Sequence, residues 1–474
     1  MNLSLLSREA SGGDIAEGGS IFQANVVVSA VCRWLADEGF SQLSRESLGD
    51  VEAKFFVPGQ EFQLEFIEAK NHSLEPTEFW TEIEHFLDLD KTHPGIYRHF
   101  TLASPDVSAT LKPVINGLAR VRKPLDFYGA DSSVIAVSFE DFKELVKKQN
   151  RTEQDAQFLF EKVSIIFDLG GQSQGNHLFE ALKNYLPDYM DLKMHDVQAI
   201  YVNLKEFLHS RKNQPFTRRE IEEKFREKID IRNLPPPRPI TLHISNNNQE
   251  AAVGLHFNWA EFGGEGVPSP ISWQKKVLSE LEQTRDWILQ TRTERRIKII
   301  GKTRLPTAFA IGAVFSATQG FELDVNYRDN TFSTNNRIYA EDESTPYQWQ
   351  ITQSGDLREV DHLIVTIGIV AQIAGDVENW VKQVDTTSRP MLHLFGVMSL
   401  SSARQAEQAV ADVKRIIREF ISGTRINQLD LFMAGPSWFA NFFGYRSSSL
   451  PSIQTYQFLT STRQYSPAIF IPAR

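Results

Sequence analysis

Asp50, and eighteen residues later Glu68 with Lys70, are the side chains of this sequence whose types and spacing could do chemistry. Two strand-like runs carry them, 51–57 and 62–69, joined by the turn signal Pro58-Gly59. The two-residue period of a strand puts Glu68 and Lys70 on one face and turns Ala69 inward. An antiparallel return then brings Asp50, at the head of its strand, within reach of Glu68. Two carboxylates and a lysine on one sheet edge can hold Mg²⁺ and set a water against a phosphodiester. The ion polarises the phosphoryl oxygen and lowers the pKa of its water, while the lysine orients the nucleophile or offsets developing charge. Glu17 or Glu46 could add a carboxylate, and Glu52 shares strand parity with Asp50, whereas Gln63 and Glu65 lie on the parity opposite Glu68. Charged alternation is also what a solvated strand face looks like, so the trio alone leaves an ordinary surface hairpin open.

The flanking elements narrow the choice. Gly18-Gly19-Ser20-Ile21-Phe22-Gln23 opens an apolar helical run over 24–35, a strand pair follows, and 79–86 has helical spacing. Helix, hairpin with D…ExK, then helix resembles the PD-(D/E)xK nuclease core, especially effector nucleases with a glycine-rich entry and Phe-Gln on the first helix. That resemblance implies a restriction-endonuclease-like α/β/α domain with Asp50 and Glu68 on the metal and Lys70 at the water or the transition state.

Composition sets the bounds. The 474 residues are 41% hydrophobic and 23% charged, enough for two or three domains with substantial cores. No run approaches the 18 apolar residues of a membrane span, and the N-terminus lacks a basic-then-apolar signal. The single cysteine, Cys32, excludes an internal disulfide and reads as a small core residue, which places the chain in a reducing cytoplasm. Charge is unevenly shared: residues 1–230 hold 26 Lys and Arg against 37 Asp and Glu, the remainder 24 against 23. A nuclease half this acidic repels DNA at long range unless its cations gather on one face or several copies combine.

Residues 74–232 read mainly as helix, with a strand expected at 134–137 and a helix at 139–148. Two basic clusters, Lys112, Arg120, Arg122 and Lys123, then Arg211, Lys212, Arg218 and Arg219, could meet DNA backbone or form a solvated face. Thr217-Arg218-Arg219-Glu220 is a capping-box pattern for a helix ending near Ile229. Four prolines in the five positions from Pro235 cannot continue a helix, so the domain border falls there. The expected division is 1–232 nuclease with helical extension, 233–239 linker, and 240–474 a second domain.

That second half alternates strands (240–244, 252–257, 297–300, 321–327, 349–352, 363–369, 391–397, 428–433) with helices (272–289, 306–315, 375–384, 403–422, 437–443). The alternation implies mostly parallel sheets covered on both faces, arranged as two α/β units without a convincing sequence repeat. Ligands collect at the carboxyl ends of such strands. Lys302 and Arg304, Ser399, and Ser437 follow three of those ends, and small hydroxyls with a few cations suit a phosphate-bearing ligand. No P-loop is present, since Arg296 stands where the first glycine belongs. Ser437 could instead be a plain helix cap, and Trp438, Phe439 and Tyr445 could stack on bases or fill a core.

Leu392-His393-Leu394-Phe395-Gly396, then 429–437 (LDLFMAGPS), Phe443-Gly444 and the closing run 465–471 resemble the SAVED domain, two fused CARF-like Rossmannoid units. Together the halves resemble the nuclease effectors of CBASS anti-phage systems. In that family SAVED binds a cyclic oligonucleotide, usually a cyclic trinucleotide, and the nuclease domains form a homo-oligomer and cut double-stranded DNA. The resemblance therefore implies an α/β, ligand-gated, Mg²⁺-dependent DNA endonuclease in the cytoplasm, with no membrane partner. Two rivals remain: a constitutive restriction-type endonuclease, and a non-catalytic nucleotide-binding scaffold. An acidic first half and a second half without a basic stripe count against the former. Retention of all three D…ExK side chains counts against the latter.

Overall fold

Val26, Val27, Val28 and Val31 favour a strand by propensity, yet they sit inside a 20-residue helix, α1 (Glu17–Ala36). Burial overrides propensity: these four, Cys32 and Trp34 are all enclosed, between a sheet on one side and further helices on the other. Burial pushes the Cys32 thiol up to about 12, so it stays a thiol and acts as a small core residue. The structure is a computed structural model and describes residues 17–45, 50–129, 132–167, 174–211, 214–245, 254–263, 268–335, 346–358, 360–384 and 389–473. Two compact units meet at the proline segment, Met1–Pro236 and Pro237–Arg474.

In the first unit α1 is followed by β1 (Phe40–Arg45), β2 (Val51–Phe55), β3 (Gln63–Ala69), α2 (Pro76–Thr92), β4 (Tyr97–Ala103), α3 (Lys112–Arg122) and α4 (Leu125–Tyr128). Then come α5 (Ser133–Lys147), α6 (Glu153–Lys162), β5 (Val163–Ile166), α7 (Gln174–Tyr185), α8 (Met194–His209), β6 (Phe216–Thr217) and α9 (Arg218–Arg226). The sheet runs β5-β4-β3-β2-β1-β6. The β1, β2 and β3 strands are antiparallel neighbours, whereas β3, β4 and β5 are parallel. Val51, Ala53, Ile67 and Ala69 pack under α1, α7, α8 and α9, while Phe66, Phe100 and Leu102 pack under α2, α3, α5 and α6. This is the expected α/β/α layering.

One sequence expectation needs correction. The strand expected at 134–137 is the first turn of α5, because Ser132 caps that helix by accepting from the Val134 N–H and only Ile135 of the run is buried. The basic clusters divide: Lys112, Arg120, Lys123 and Arg219 are exposed, whereas Arg122 and Arg218 turn inward. Arg122 donates to the carbonyls of Leu159, Phe160 and Val163. Arg218, only 6% exposed, donates to the Leu35 and Asp37 carbonyls at the end of α1. Arg211 and Arg219 pair with Glu220 and Glu223, and Lys212 lies outside the described residues. Arg122 and Arg218 therefore hold the fold. The capping box at Thr217 and Glu220 forms as expected.

The second unit contains β7 (Ile240–Ser245), β8 (Leu255–Asn258), α10 (Ala260–Gly263), α11 (Pro270–Ser272) running through a π-helical stretch into α12 (Ser279–Thr291), β9 (Arg296–Gly301) and α13 (Leu305–Val314). It continues with β10 (Glu322–Tyr327), β11 (Asn330–Ser333), β12 (Trp349–Ser354), β13 (His362–Ile369), α14 (Ala374–Val384), β14 (Met391–Gly396) and α15 (Ala403–Ile421). The last elements are β15 (Gln428–Ala434), α16 (Ser437–Arg446), β16 (Ser452–Leu459) and β17 (Gln464–Ile471). One sheet runs β11-β10-β9-β7-β8 and the other β12-β14-β13-β15-β16-β17, each with a parallel centre. Helices α13 and α16, both ten residues long, carry a glycine at their eighth position, Gly312 and Gly444. Each glycine lies against the backbone of the other helix, a closeness any side chain would prevent. The repeat absent from the sequence is therefore present in space, reduced to one shared glycine per unit.

Candidate active site and ligand-binding edge

The β2–β3 register fixes the first site. Val51 pairs with Ile67, so Asp50, one residue further out, comes level with Glu68. Asp50 Oδ2 accepts the Ala69 N–H at 2.7 Å, and its Oδ1 accepts from Gln23 Nε2 of α1 at 2.6 Å. Lys70 Nζ sits 2.9 Å from Glu68 Oε1 and 2.7 Å from Glu82 Oε1, the latter on α2. Asp50, Glu68 and Lys70 therefore converge as their spacing predicts, and Gln23 and Glu82 join them. Glu82 lies three residues after Phe79 and four before Phe86, both buried. An acid on the buried stripe of an amphipathic helix was the signal that could have found it. Glu46 lies outside the described residues, as does the side chain of Glu17.

Electrostatics separate the acids. Burial, then the neighbouring Glu68, push Asp50 up to about 7. Burial likewise raises Glu68, with Lys70 offsetting part of the effect and Glu82 adding to it. Burial opposes the Lys70 charge, but Glu68 and Glu82 outweigh it and hold the ammonium well above its usual range. Glu65, three residues before Glu68 and on the other face, contrasts sharply. Arg33 grips it bidentately at 2.8 and 2.6 Å, Trp34 and Arg98 add donors, and against its burial these hold it down at about 2. Glu65 is a structural anion. Asp50 and Glu68 are a strained pair.

Strain of this kind carries a stability prediction. The folded pKa of Asp50 lies above its unfolded value near 3.9, so its ionisation costs stability increasingly as pH rises from about 4 to 7. Asp50→Asn, neutral throughout, should raise the melting temperature of the metal-free chain by several degrees at pH 8 and by less at pH 5. Differential scanning calorimetry at the two pH values checks it; an unchanged or lowered Tm at pH 8 would contradict the strained pair.

In the second unit the four expected ligand residues take different positions. Lys302 is exposed just beyond β9, and Arg304 stands immediately before α13 with its guanidinium pKa lowered by burial. Ser399 is exposed in the loop after β14. Ser437 opens α16 but does not cap it; Pro436 occupies that place and has no side-chain bond. The capping serine is Ser402, which accepts the Gln405 N–H at the start of α15. Arg304 and Ser437 thus mark matching starts of the two crossing helices, while Ser399 and Ser437 follow strands separated by β13. The aromatics fall to the core: Trp438 stacks on Phe332 at 4.0 Å, Phe439 is buried, and the Tyr445 hydroxyl donates to the Phe321 carbonyl.

Residues 280–471 match the family model for the SAVED domain, described as "SMODS-associated and fused to various effectors sensor domain". Residues 280–471 are thus a SAVED domain, joined to a unit of α/β/α layering, the organisation expected of a CBASS effector with a SAVED sensor. Among curated relatives it is similar to CD-NTase-associated protein 4 of Moraxella osloensis, 25% identical over 472 residues and covering 98% of this chain and 99% of the relative. The protein of that name from Acinetobacter sp. (strain ATCC 27244 / 9458) is 26% identical over the same shares. Among solved structures, the Acinetobacter baumannii Cap4 SAVED/CARF-domain containing receptor with the cyclic trinucleotide 3'3'3'-cAAA superposes with a TM-score of 0.80 at 23% identity, covering 96% of this chain and 99% of that one. The same receptor with 2'3'3'-cAAA gives 0.80 at 24% identity, covering 97% and 100%. The fold expected for both halves is borne out. No helix among the described residues is long and apolar enough to cross a membrane.

Proposed function

We propose that this protein is a cyclic-oligonucleotide-gated, Mg²⁺-dependent endonuclease of double-stranded DNA that acts in anti-phage defence. The observation that carries the reading is the convergence of Asp50, Glu68 and Lys70 at one end of the β2–β3 hairpin, with Asp50 raised to about 7. Paired carboxylates that repel each other in a buried site fit a divalent cation. Among the described residues no group of three or more His, Cys, Asp and Glu side chains forms a metal cage. A pair suits Mg²⁺, which keeps several waters and binds through one or two carboxylates. When bound, the ion supplies Lewis-acid polarisation of the scissile phosphate and a water of lowered pKa. Asp50 and Glu68 would hold it, with Asp50 oriented by the Ala69 N–H and Gln23. Lys70, which Glu82 on α2 holds at 2.7 Å, would orient the nucleophile or offset charge on the phosphate.

On the sensor side, relatives solved with 3'3'3'-cAAA and 2'3'3'-cAAA support a cyclic trinucleotide as the ligand. Lys302, Arg304, Ser399 and Ser437 are the proposed contacts at the strand ends. The division at 233–239 makes 1–232 the nuclease and 240–474 the sensor. Ligand binding activates cutting by favouring an assembled state over the monomer, which offsets the weak DNA affinity of an acidic nuclease half. Titrating cyclic di- and trinucleotides while following sedimentation tests the reading. One cyclic trinucleotide should bind and shift the chain to larger species. Binding of none would overturn the gate, and plasmid cutting without nucleotide would favour the constitutive enzyme.

A further inference from the structure

Apart from both sites, the flank of α15 turned away from its buried stripe borders a groove of about 950 Å³, lined among others by Glu407, Ala411, Lys414, Arg418, Ser422 and Arg446. The α15 residues recur at three- and four-residue spacing, so they form one row, and Arg446 reaches it from the end of α16. Two cations of this surface are neutralised: Arg415 by Asp412 and Glu419, and Arg446 by Glu407 at 3.2 Å. Lys414 and Arg418 have no acidic partner among the described residues. Burial, then Arg418 and Arg446, lower the Lys414 pKa, which places both arginines close enough to Lys414 to repel it. Like charges gathered at a cavity without a counter-ion are stabilised by an anion that bridges them.

The flanking acids say what kind of anion. Glu407 lies at one end of the row and Glu419 near the other, and both would repel a phosphate chain running the length of the helix. A compact anion centred on Lys414 avoids both. Ala411 leaves room beside it, and the volume falls within the range of small-molecule sites. We propose that this groove is a second ligand site, which binds a compact phosphate-bearing small molecule through Lys414 and Arg418. It lies along α15 from the second turn onward, so it is distinct from the loop at Ser399 that precedes the helix.

Calorimetric titration of inorganic pyrophosphate into the full chain tests the proposal, with a 30-base-pair duplex as the opposing probe. The paired substitution Lys414→Ala with Arg418→Ala should weaken pyrophosphate binding about tenfold or more. Arg415→Ala, which removes an already paired cation, should change it less than about threefold. Should the alanine pair melt early, the corresponding glutamine pair keeps the stems and gives the same reading. Equal pyrophosphate affinity in wild type and variant, or no binding to either, overturns the site. A loss confined to the duplex overturns it too, and assigns the cations to nucleic-acid backbone.

Discussion

Lys70→Ala should leave the chain folded and able to bind its nucleotide, and should slow DNA cutting by at least about a hundredfold. The side chain belongs to no apolar cluster and bridges two acids at the surface end of β3. Its loss removes the only cation paired with Glu68 among the described residues, so Glu68 and Glu82 then face each other across the gap. Glu68, already raised by burial, takes up a proton more readily once the lysine is gone, so the fold should survive a change the chemistry does not. A Lys70→Met variant, which keeps the stem without the charge, should behave the same way. Plasmid cleavage timed beside nucleotide binding checks both variants, and a wild-type cutting rate would remove Lys70 from the mechanism.

Gly444→Val should have the largest effect on stability. A glycine inside a helix costs about 1 kcal/mol relative to alanine, so its presence at matching points of α13 and α16 needs a reason. Packing supplies it. A Cβ on Gly444 would run into the Phe309 carbonyl oxygen and stand 2.9 Å from the Ala313 nitrogen, both backbone atoms that cannot swing aside. Every residue of α13 from Pro306 to Val314 is buried, so the helix has nowhere to retreat. The valine should destabilise the sensor unit by about 3–5 kcal/mol or prevent its folding, with nucleotide binding lost as well. Denaturant unfolding measures the change; a loss below about 1 kcal/mol would mean that the two helices do not cross as described.

The convergence of Asp50, Glu68 and Lys70 was legible because a hairpin is local. A turn signal and strand parity alone bring Asp50 to Glu68, and the observed register agrees. Glu82 was not legible, because its meeting with Lys70 depends on how α2 packs across the sheet. The run 134–137 misled because β-branched residues suit either state, and a single capping serine decided for the helix. Val163–Ile166 went unseen since the strand begins at the residue right after α6 ends, with no turn between them. Arg122 and Arg218 read as surface charge, yet both cap carbonyls of other elements, contacts that no local pattern announces. In the second unit the apolar strands and their helices were plain from alternation. The ligand residues were less so, because strand-end loops carry function without a periodic signature.

Supercoiled plasmid, Mg²⁺ and the purified full chain, with and without a cyclic trinucleotide, test the central claim most directly. Rapid cutting with the nucleotide and none without it is the predicted result. Equal cutting in both reactions, or silence in both although the nucleotide binds, would contradict a nuclease gated by its sensor.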